Sequence, residues 1–313
     1  MPSRSTLFVL TPIVLILGLA TAFSQRWQAA KPRIGLSVAN LQADFFNQIK
    51  QSVTKEAAKQ GVEVVVADAR GDAATQVNQI EDFVTKKVDA IVYIPAGATA
   101  AGVPVKDAKR AGIPIIAVDR NPPDEPADSF IASDSVAAAR TLGEHVAKLT
   151  GGEGQVAILQ GQIGTTPEID RNKGFQEALS KDPGLQVVAK QPADWDQDKG
   201  FAIAQNMLQV HPDISVFFGR ADAMALGAAQ AVRVANVGHK VTIVGFDGDF
   251  AGLKAVRDGT IDATMTQQTQ RMGRMAVSTA QQLIKGEKVP AQQLVPAFLT
   301  TKANAAKYIA SHP

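Results

Sequence analysis

Residues 113–121 read IPIIAVDRN, an apolar run that ends in an acid and a base side by side, Asp119 and Arg120. The apolar part favours a strand inside a parallel sheet, where both faces are covered. A second stretch, VTIVGFD at residues 241–247, has the same form and ends in Asp247. Two strands that each end in a carboxylate indicate two related parts of the chain.

Short apolar runs alternate with amphipathic stretches before residue 119. The pattern predicts strands at 33–39, 62–68, 88–95 and 113–119, and helices at 46–61, 75–87 and 101–112. This order is typical of a parallel sheet with helices on both faces. The layout repeats over residues 154–190, 201–219 and 223–247.

Further elements follow the second copy: a strand within 259–268, a helix at 271–286 and one strand at 294–301. The proline-rich polar stretch NPPDEPADS, within residues 120–135, predicts a linker between the two copies. The predicted fold is therefore α/β, with two similar doubly wound parallel-sheet lobes. Because elements follow the second copy, we expect several crossings between the lobes and hence a multi-strand hinge.

Composition excludes several classes of function. The 32 basic and 30 acidic residues give a net charge of +2, which argues against a nucleic-acid partner. Without cysteine, the chain has no thiol nucleophile, disulfide or cysteine-ligated metal. The segment LQGQIGTT (159–166) lacks the lysine of a phosphate-binding loop, so no cofactor is predicted.

Metal binding is not predicted either, since the four histidines are scattered. Asp194, Asp196 and Asp198 alternate as in a calcium loop, but the glycine and distal glutamate of such a loop are missing. A solvated turn is the favoured interpretation of these three acids.

The N-terminus indicates export from the cytoplasm. Arg4 precedes an uncharged apolar run from Leu7 to Phe23, and Ala20-Thr21-Ala22 matches a signal-peptidase site. We expect a signal peptide cleaved near Ala22 and a periplasmic protein. A membrane anchor formed by residues 7–23 is the main alternative, and a buried helix is a third.

Charged groups beyond parallel strands predict a ligand site, because ligands bind outside the carboxyl ends of such strands. Carboxylates accept hydrogen bonds from hydroxyls and guanidinium groups donate them, so Asp119, Arg120 and Asp247 suit a polyhydroxylated ligand. Phe45, Phe46 and the loop residue Trp195 offer rings for the apolar faces of a sugar. An exposed Asp-Arg turn and aromatic core packing are the alternatives.

Eight segments together resemble the ribose-binding type of periplasmic substrate-binding protein, a type I family that serves ABC sugar importers. They are DFFNQIKQSVTKEA, PIIAVDRN, FIASD, DRNKGFQEAL, QPADWDQDKG, ADAMALGA, VGFDGD and DATMTQ, in the family's order and spacing over about residues 33–300. The resemblance implies ligand contacts by Phe45, Phe46, Asp119, Arg120, Arg171, Trp195, Asp247 and Gln267. It also implies one lobe of residues 32–133 and 268–296, a second of 134–267 and 297–313, and an N-terminal leader of 1–31.

The chain departs from the ribose type at three polar positions, which here are Ala39, Ala43 and Ala221. Unpaired hydroxyls in a buried site are costly, so these alanines argue against ribose itself. A different pentose, a hexose, a deoxy sugar or a polyol remains open. Replacement contacts are expected from Asn40, Gln42, Arg220 or Asp222.

The predicted function is capture of a monosaccharide or polyol between the lobes and its delivery to the membrane permease of an ABC importer, without catalysis. One alternative is a sensing protein that presents its bound form to a chemoreceptor or sensor kinase. A regulator's effector domain is disfavoured because only a short hydrophobic segment precedes the first strand. A sugar-modifying enzyme is disfavoured because the chain shows no phosphate fingerprint and no acid–base constellation.

Overall fold

The structure, a computed structural model, describes residues 31–312, so the predicted signal peptide or anchor lies outside the described residues. Two six-stranded sheets form its frame, each with helices on both faces. Strands of the first sheet are β1 (Arg33–Val38), β2 (Glu63–Asp68), β3 (Ala90–Tyr93), β4 (Ile115–Val118), β5 (Ser129–Ser133) and β11 (Gln292–Val295). Strands of the second are β6 (Glu153–Gln160), β7 (Gly184–Pro192), β8 (Ile214–Gly219), β9 (Thr242–Asp247), β10 (Ala263–Thr266) and β12 (Phe298–Thr301).

Most strands are connected by a helix, because two parallel strands need a crossover connection of a dozen or more residues. In chain order they are α1 (Asp44–Lys59), α2 (Ala73–Thr85), α3 (Gly102–Arg110), α4 (Ser135–Thr150), α5 (Thr166–Leu179), α6 (Gln197–Val210), α7 (Asp222–Ala235), α8 (Phe250–Asp258), α9 (Thr269–Ile284) and α10 (Ala305–Ala310). Asp72, Asp134 and Asp196 cap α2, α4 and α6 through their carboxylates, which explains where these helices begin.

The two sheets have the same strand order. In the first it is β11-β5-β4-β3-β1-β2, all parallel, and in the second it is β12-β10-β9-β8-β6-β7. Only the β12–β10 pair is antiparallel among the described strands. We call each sheet with the helices packed on it a lobe: α9 packs on α1 and on β3 to β5 of the first, and α10 on α8 of the second.

Hydrophobic packing on both faces of each sheet explains the apolar strands. In β3, Ala90 and Val92 join one buried cluster of the first lobe, while Ile91 and Tyr93 join the cluster on the other face. This alternation follows from the two-residue period of a strand. The strands and helices predicted up to residue 119 are all present, with bounds that differ by a few residues.

Two sequence predictions are wrong in detail. The single strand predicted at 294–301 is two strands, β11 and β12, which belong to different sheets. Pro296 lies between them, and proline cannot continue a hydrogen-bonded ladder. The stretch within 120–135 is also not simply a linker between lobes, because it loops back and ends in β5, which pairs with β4 in the first sheet.

The chain passes between the sheets three times: after β5, after β10, and between β11 and β12. The three crossings are close to one another, because β5 pairs with β11 and β10 pairs with β12. Within residues 31–312, no helix is both long and apolar enough to cross a membrane.

Candidate functional site

The carboxyl ends of β4 and β9 open onto one cavity of about 370 Å³, within the size range of small-ligand sites. Asp119 follows β4, and Asp247 is the last residue of β9. Both have positive φ angles, 65° and 124°, which non-glycine residues seldom adopt. Such backbone strain is a feature of functional sites, and here it occurs at the equivalent point of both lobes.

Nine of the twelve predicted contact residues line this cavity. The first lobe supplies Asn40, Gln42, Phe45, Phe46, Asp119 and Arg120, and the second supplies Arg171, Trp195 and Asp247. Residues separated by more than half of the chain therefore meet around one space between the lobes.

Two buried ion pairs lie in the cavity wall, one from each lobe. Arg120 Nε is 3.6 Å from Asp119 Oδ2, and Arg171 Nη2 is 3.2 Å from Asp247 Oδ1. The guanidinium group of Arg120 also donates to the carbonyl oxygens of Pro95 and Ala96, each at 3.0 Å. Each lobe thus presents a fixed acid–base pair that can accept hydrogen bonds from ligand hydroxyls and donate to them.

Aromatic rings enclose the charged groups. Phe45 and Phe46 are in the first turn of α1, with ring centroids 5.3 Å apart and nearly perpendicular planes. Arg120 lies 5.2 Å from the ring centroid of Phe46 and 5.8 Å from that of Trp195, which belongs to the opposite lobe. Arg171 lies 5.4 Å from the Trp195 ring, so both arginines contact the same indole.

Direct hydrogen bonds join the two lobes around the cavity. Arg120 Nη1 donates to Gln162 Oε1 at 3.0 Å, and the backbone N–H of Asn121 donates to Thr166 Oγ1 at 3.0 Å. On another side, the N–H of Phe250 donates to Asp44 Oδ2 at 3.1 Å. The lobes are therefore in contact, in a closed arrangement.

Three predicted contact residues, Gln267, Arg220 and Asp222, are not among the residues that line this cavity, and each hydrogen-bonds to one that is. Gln267 Nε2 donates to Asp247 Oδ1 at 2.8 Å. Arg220 is fully buried, pairs with Glu168, and accepts a hydrogen bond from Arg171 on its backbone oxygen. Each of these residues orients a group that faces the cavity.

Asp222 supports the loop after β9. Its Oδ2 accepts from the backbone N–H groups of Gly248 and Asp249, at 2.9 and 3.0 Å, and its Oδ1 is 2.6 Å from Thr264 Oγ1. The side chain is fully buried. The sequence shows only that an acid follows β8, and a buried supporting acid and a ligand contact look the same in that pattern.

The calcium alternative is not supported by the side-chain arrangement. Asp196 caps α6 by accepting from Lys199 N, and Asp194 Oδ2 pairs with Lys199 Nζ at 3.0 Å. Across residues 31–312, no group of three or more His, Asp or Glu side chains is placed to hold a metal ion.

Comparison with known proteins identifies the family. The periplasmic binding protein domain family matches residues 34–288. The chain belongs to this family. The ribose import binding proteins of Bacillus subtilis (strain 168) and Escherichia coli (strain K12) are 35% and 38% identical to it, over 86% and 87% of this chain and 87% and 92% of theirs.

A solved structure agrees with the fold. An ABC transporter solute binding protein from Bacillus halodurans C-125, with bound myo-inositol, is 32% identical and has a TM-score of 0.84, covering 90% of this chain and 98% of that one. The predicted fold class and the resemblance to ribose-type binding proteins are thereby confirmed.

Asp249 is a cavity residue of this periplasmic binding protein that the sequence analysis missed. It occupies the N-cap position of α8. The signal was present in the segment VGFDGD, where a second acid follows Asp247 by two positions. The side chain of Asp249 makes no capping hydrogen bond to that helix.

Burial changes the protonation of the carboxylates behind and around the cavity. It raises the pKa of Asp247 to about 6, against the opposing effect of Arg171. Burial, reinforced by the charge of Asp247, raises the pKa of Asp222 to about 8. The hydrogen bonds that Asp222 accepts from Thr264 Oγ1 and from the N–H groups of Gly248 and Asp249 favour its charged form and offset this rise only in part.

A pH dependence of stability follows from Asp222. The folded protein keeps a proton that the unfolded chain releases at the ordinary aspartate pKa, so stability falls as pH rises towards the folded value of about 8. Asp222→Asn keeps the shape of the protonated side chain but cannot gain or lose a proton. Calorimetry measures the melting temperature of both proteins at about pH 6 and pH 9. We expect the fall in melting temperature over this interval to be larger for the wild type than for the variant by about 3 °C or more. Equal falls in both proteins would contradict this assignment.

Proposed function

We propose that the protein captures a monosaccharide or polyol in the cavity between its lobes and delivers it to the permease of an ABC importer. One observation carries this proposal: acid–base pairs and aromatic rings from both lobes line a single cavity. Asp119 and Asp247 would accept from ligand hydroxyls, Arg120 and Arg171 would donate, and Phe45, Phe46 and Trp195 would cover the apolar faces. Asn40 and Gln42 would add contacts at the rim.

Closure is the proposed mechanism of capture. A ligand that touches both lobes binds the closed state more tightly than the open one, and so shifts the population towards closure. The three neighbouring crossings would act as the hinge, with lobe limits at residues 133–134, 267–268 and 296–297. The closed surface would then be what the permease recognises.

The family supports transport over sensing. The relatives described above carry the names of an import binding protein and a transporter solute binding protein, and this favours import over presentation to a chemoreceptor or sensor kinase. The family also supports a periplasmic location for this chain, with residues 1–31 as signal peptide or anchor. We further propose that the ligand is released unchanged, without catalysis.

Ligand screening tests the proposal. The purified protein is heated with D-ribose, other pentoses, hexoses, xylitol or myo-inositol, and the melting temperature is recorded. A ligand at about a hundred times its Kd stabilises the folded state by about 2.7 kcal/mol, so a true ligand gives a clear rise. Recovery of the ligand and its NMR spectrum then separate binding from catalysis: an altered sugar would contradict a binding role, and no rise with any sugar or polyol would contradict the proposed function.

Trp195→Ala is expected to weaken binding of the ligand found in that screen by about tenfold or more, equivalent to about 1.4 kcal/mol. The indole lines the cavity and contacts both arginines, so its loss opens the enclosure and lets water reach the ion pairs. Isothermal titration calorimetry measures the change. Val210→Ala is the control, since Val210 is 72% exposed at the end of α6. An unchanged Kd in the folded Trp195→Ala variant would remove the indole from the site.

A further inference from the structure

More carboxyl groups than guanidinium groups line the cavity. Two guanidinium groups line it, those of Arg120 and Arg171. The lining carboxylates are those of Asp44, Asp119, Asp194, Asp196, Asp247 and Asp249.

Five of these six carboxylates have partners within the protein. Asp119 and Asp247 pair with the two arginines, and Asp194 pairs with Lys199. Asp196 caps α6, and Asp44 accepts from the backbone of the opposite lobe. Asp249 is different, because none of the described side chains forms an ion pair with it.

The geometry of Asp249 sets it apart from an ordinary helix cap. It is at the N-cap of α8, yet its side chain makes no capping hydrogen bond. Its Oδ1 is shielded from solvent, and no donor among residues 31–312 reaches it. The backbone N–H of Asp249 donates to Asp222 Oδ2 at 3.0 Å, which holds the backbone of this residue beside the cavity.

The surroundings of Asp249 are themselves acidic. Burial raises the pKa of Asp249 well above its ordinary value, and the carboxyl groups of Asp247, Asp222 and Asp44 raise it further when they are ionised. Arg171 opposes this effect only in part, because it is already paired with Asp247. A cation beside Asp249 would offset the effect of the neighbouring carboxylates on its pKa. It would also donate the hydrogen bond that Asp249 Oδ1 lacks.

We propose that the ligand carries a protonated amine next to its hydroxyl groups, as an amino sugar or an amino-substituted cyclic polyol does, and that Asp249 binds this amine. The inference rests on the proposed function and narrows its substrate class. An ammonium group donates three hydrogen bonds and favours the charged form of Asp249, whereas a neutral sugar in the same place leaves this shielded carboxyl group without an opposite charge. The neighbouring acid–base pairs remain available for the hydroxyls.

Matched ligand pairs test the inference. Isothermal titration calorimetry at neutral pH compares D-galactose with D-galactosamine, D-glucose with D-glucosamine, and myo-inositol with an amino-deoxy-inositol. We expect the amine of at least one pair to bind about tenfold or more tightly than its neutral parent. Asp249→Asn should lower the affinity for that amine by about tenfold or more and change the affinity for its parent by less than about threefold.

Two further variants serve as controls. Asp249→Ser removes the charge and offers a favourable helix cap, so it keeps the test valid if Asp249→Asn folds poorly. Asp213→Asn removes one charge from an exposed site on the same lobe and should bind the amine as the wild type does.

The outcomes separate this inference from the proposed function. If neutral sugars bind more tightly than their amines, and the Asp249 variants bind them equally well or better, the inference is overturned and the proposed function stands. If neither member of any pair binds while another sugar or polyol of the thermal screen does, the inference alone is overturned; if no compound of either set binds, both fail.

Discussion

Asp119→Ala is expected to weaken ligand binding by about a hundredfold or more. The carboxylate is 5% exposed, lines the cavity and is the partner of Arg120. Its removal takes away a charge-assisted acceptor worth about 1.5–3 kcal/mol to the ligand. It also leaves the buried Arg120 guanidinium without its counter-charge. Breaking a buried ion pair in this way lowers the free energy of unfolding by about 3–5 kcal/mol.

Titration calorimetry with the ligand from the thermal screen measures the loss. Asp124→Ala is the matched control, because Asp124 is an exposed acid in the loop that follows the same strand. Asp119→Asn keeps the shape of the side chain and should retain more affinity than Asp119→Ala. A folded Asp119→Ala protein with wild-type affinity would show that the ligand is not bound at the end of β4.

Gly174→Ala is expected to destabilise the protein by about 3 kcal/mol or more, although alanine is the better helix former by about 0.5–1 kcal/mol. Gly174 is where α5 crosses α4. An added Cβ would lie 2.0 Å from the carbonyl oxygen of Val136 and 3.0 Å from the backbone nitrogen of Arg140. Backbone atoms cannot yield as a side chain can, so the two helices would have to separate.

Urea unfolding measures the free energy of unfolding of the Gly174→Ala variant. Gly238→Ala is the control, because a Cβ at Gly238 meets no atom within 4 Å, and we expect its effect to stay within about 0.5 kcal/mol. Arg171 is on the same helix as Gly174, so the variant should also lose affinity for the ligand. A stability equal to that of the wild type would contradict the close packing of α4 and α5.

Local sequence patterns predicted most of the fold, because whether a segment forms a strand or a helix depends largely on its own residues. Apolar runs such as IIAV at β4 are buried on both faces, and the acids before α2 and α4 cap those helices. The family resemblance implied a lobe limit at residues 296–297, whereas the apolar pattern alone led us to interpret residues 294–301 as one strand. Which sheet each half joins depends on pairing with β5 and β10, which are distant in the sequence.

The site was harder to predict than the fold. Asp119 and Asp247, which both line the cavity, were predicted as site residues because each ends an apolar stretch of the sequence. Arg220 and Asp222 also follow a strand, β8, but tertiary hydrogen bonds turn them away from the cavity. Asp249 was missed because we considered only the acid that ends the strand, Asp247, and predicted no helix after it.

A crystal structure of the protein with the ligand selected by the thermal screen tests the central claim most directly. We predict one ligand molecule in the cavity between the lobes, within hydrogen-bonding distance of both Asp119 and Asp247. A ligand bound to one lobe alone, or outside that cavity, would contradict it.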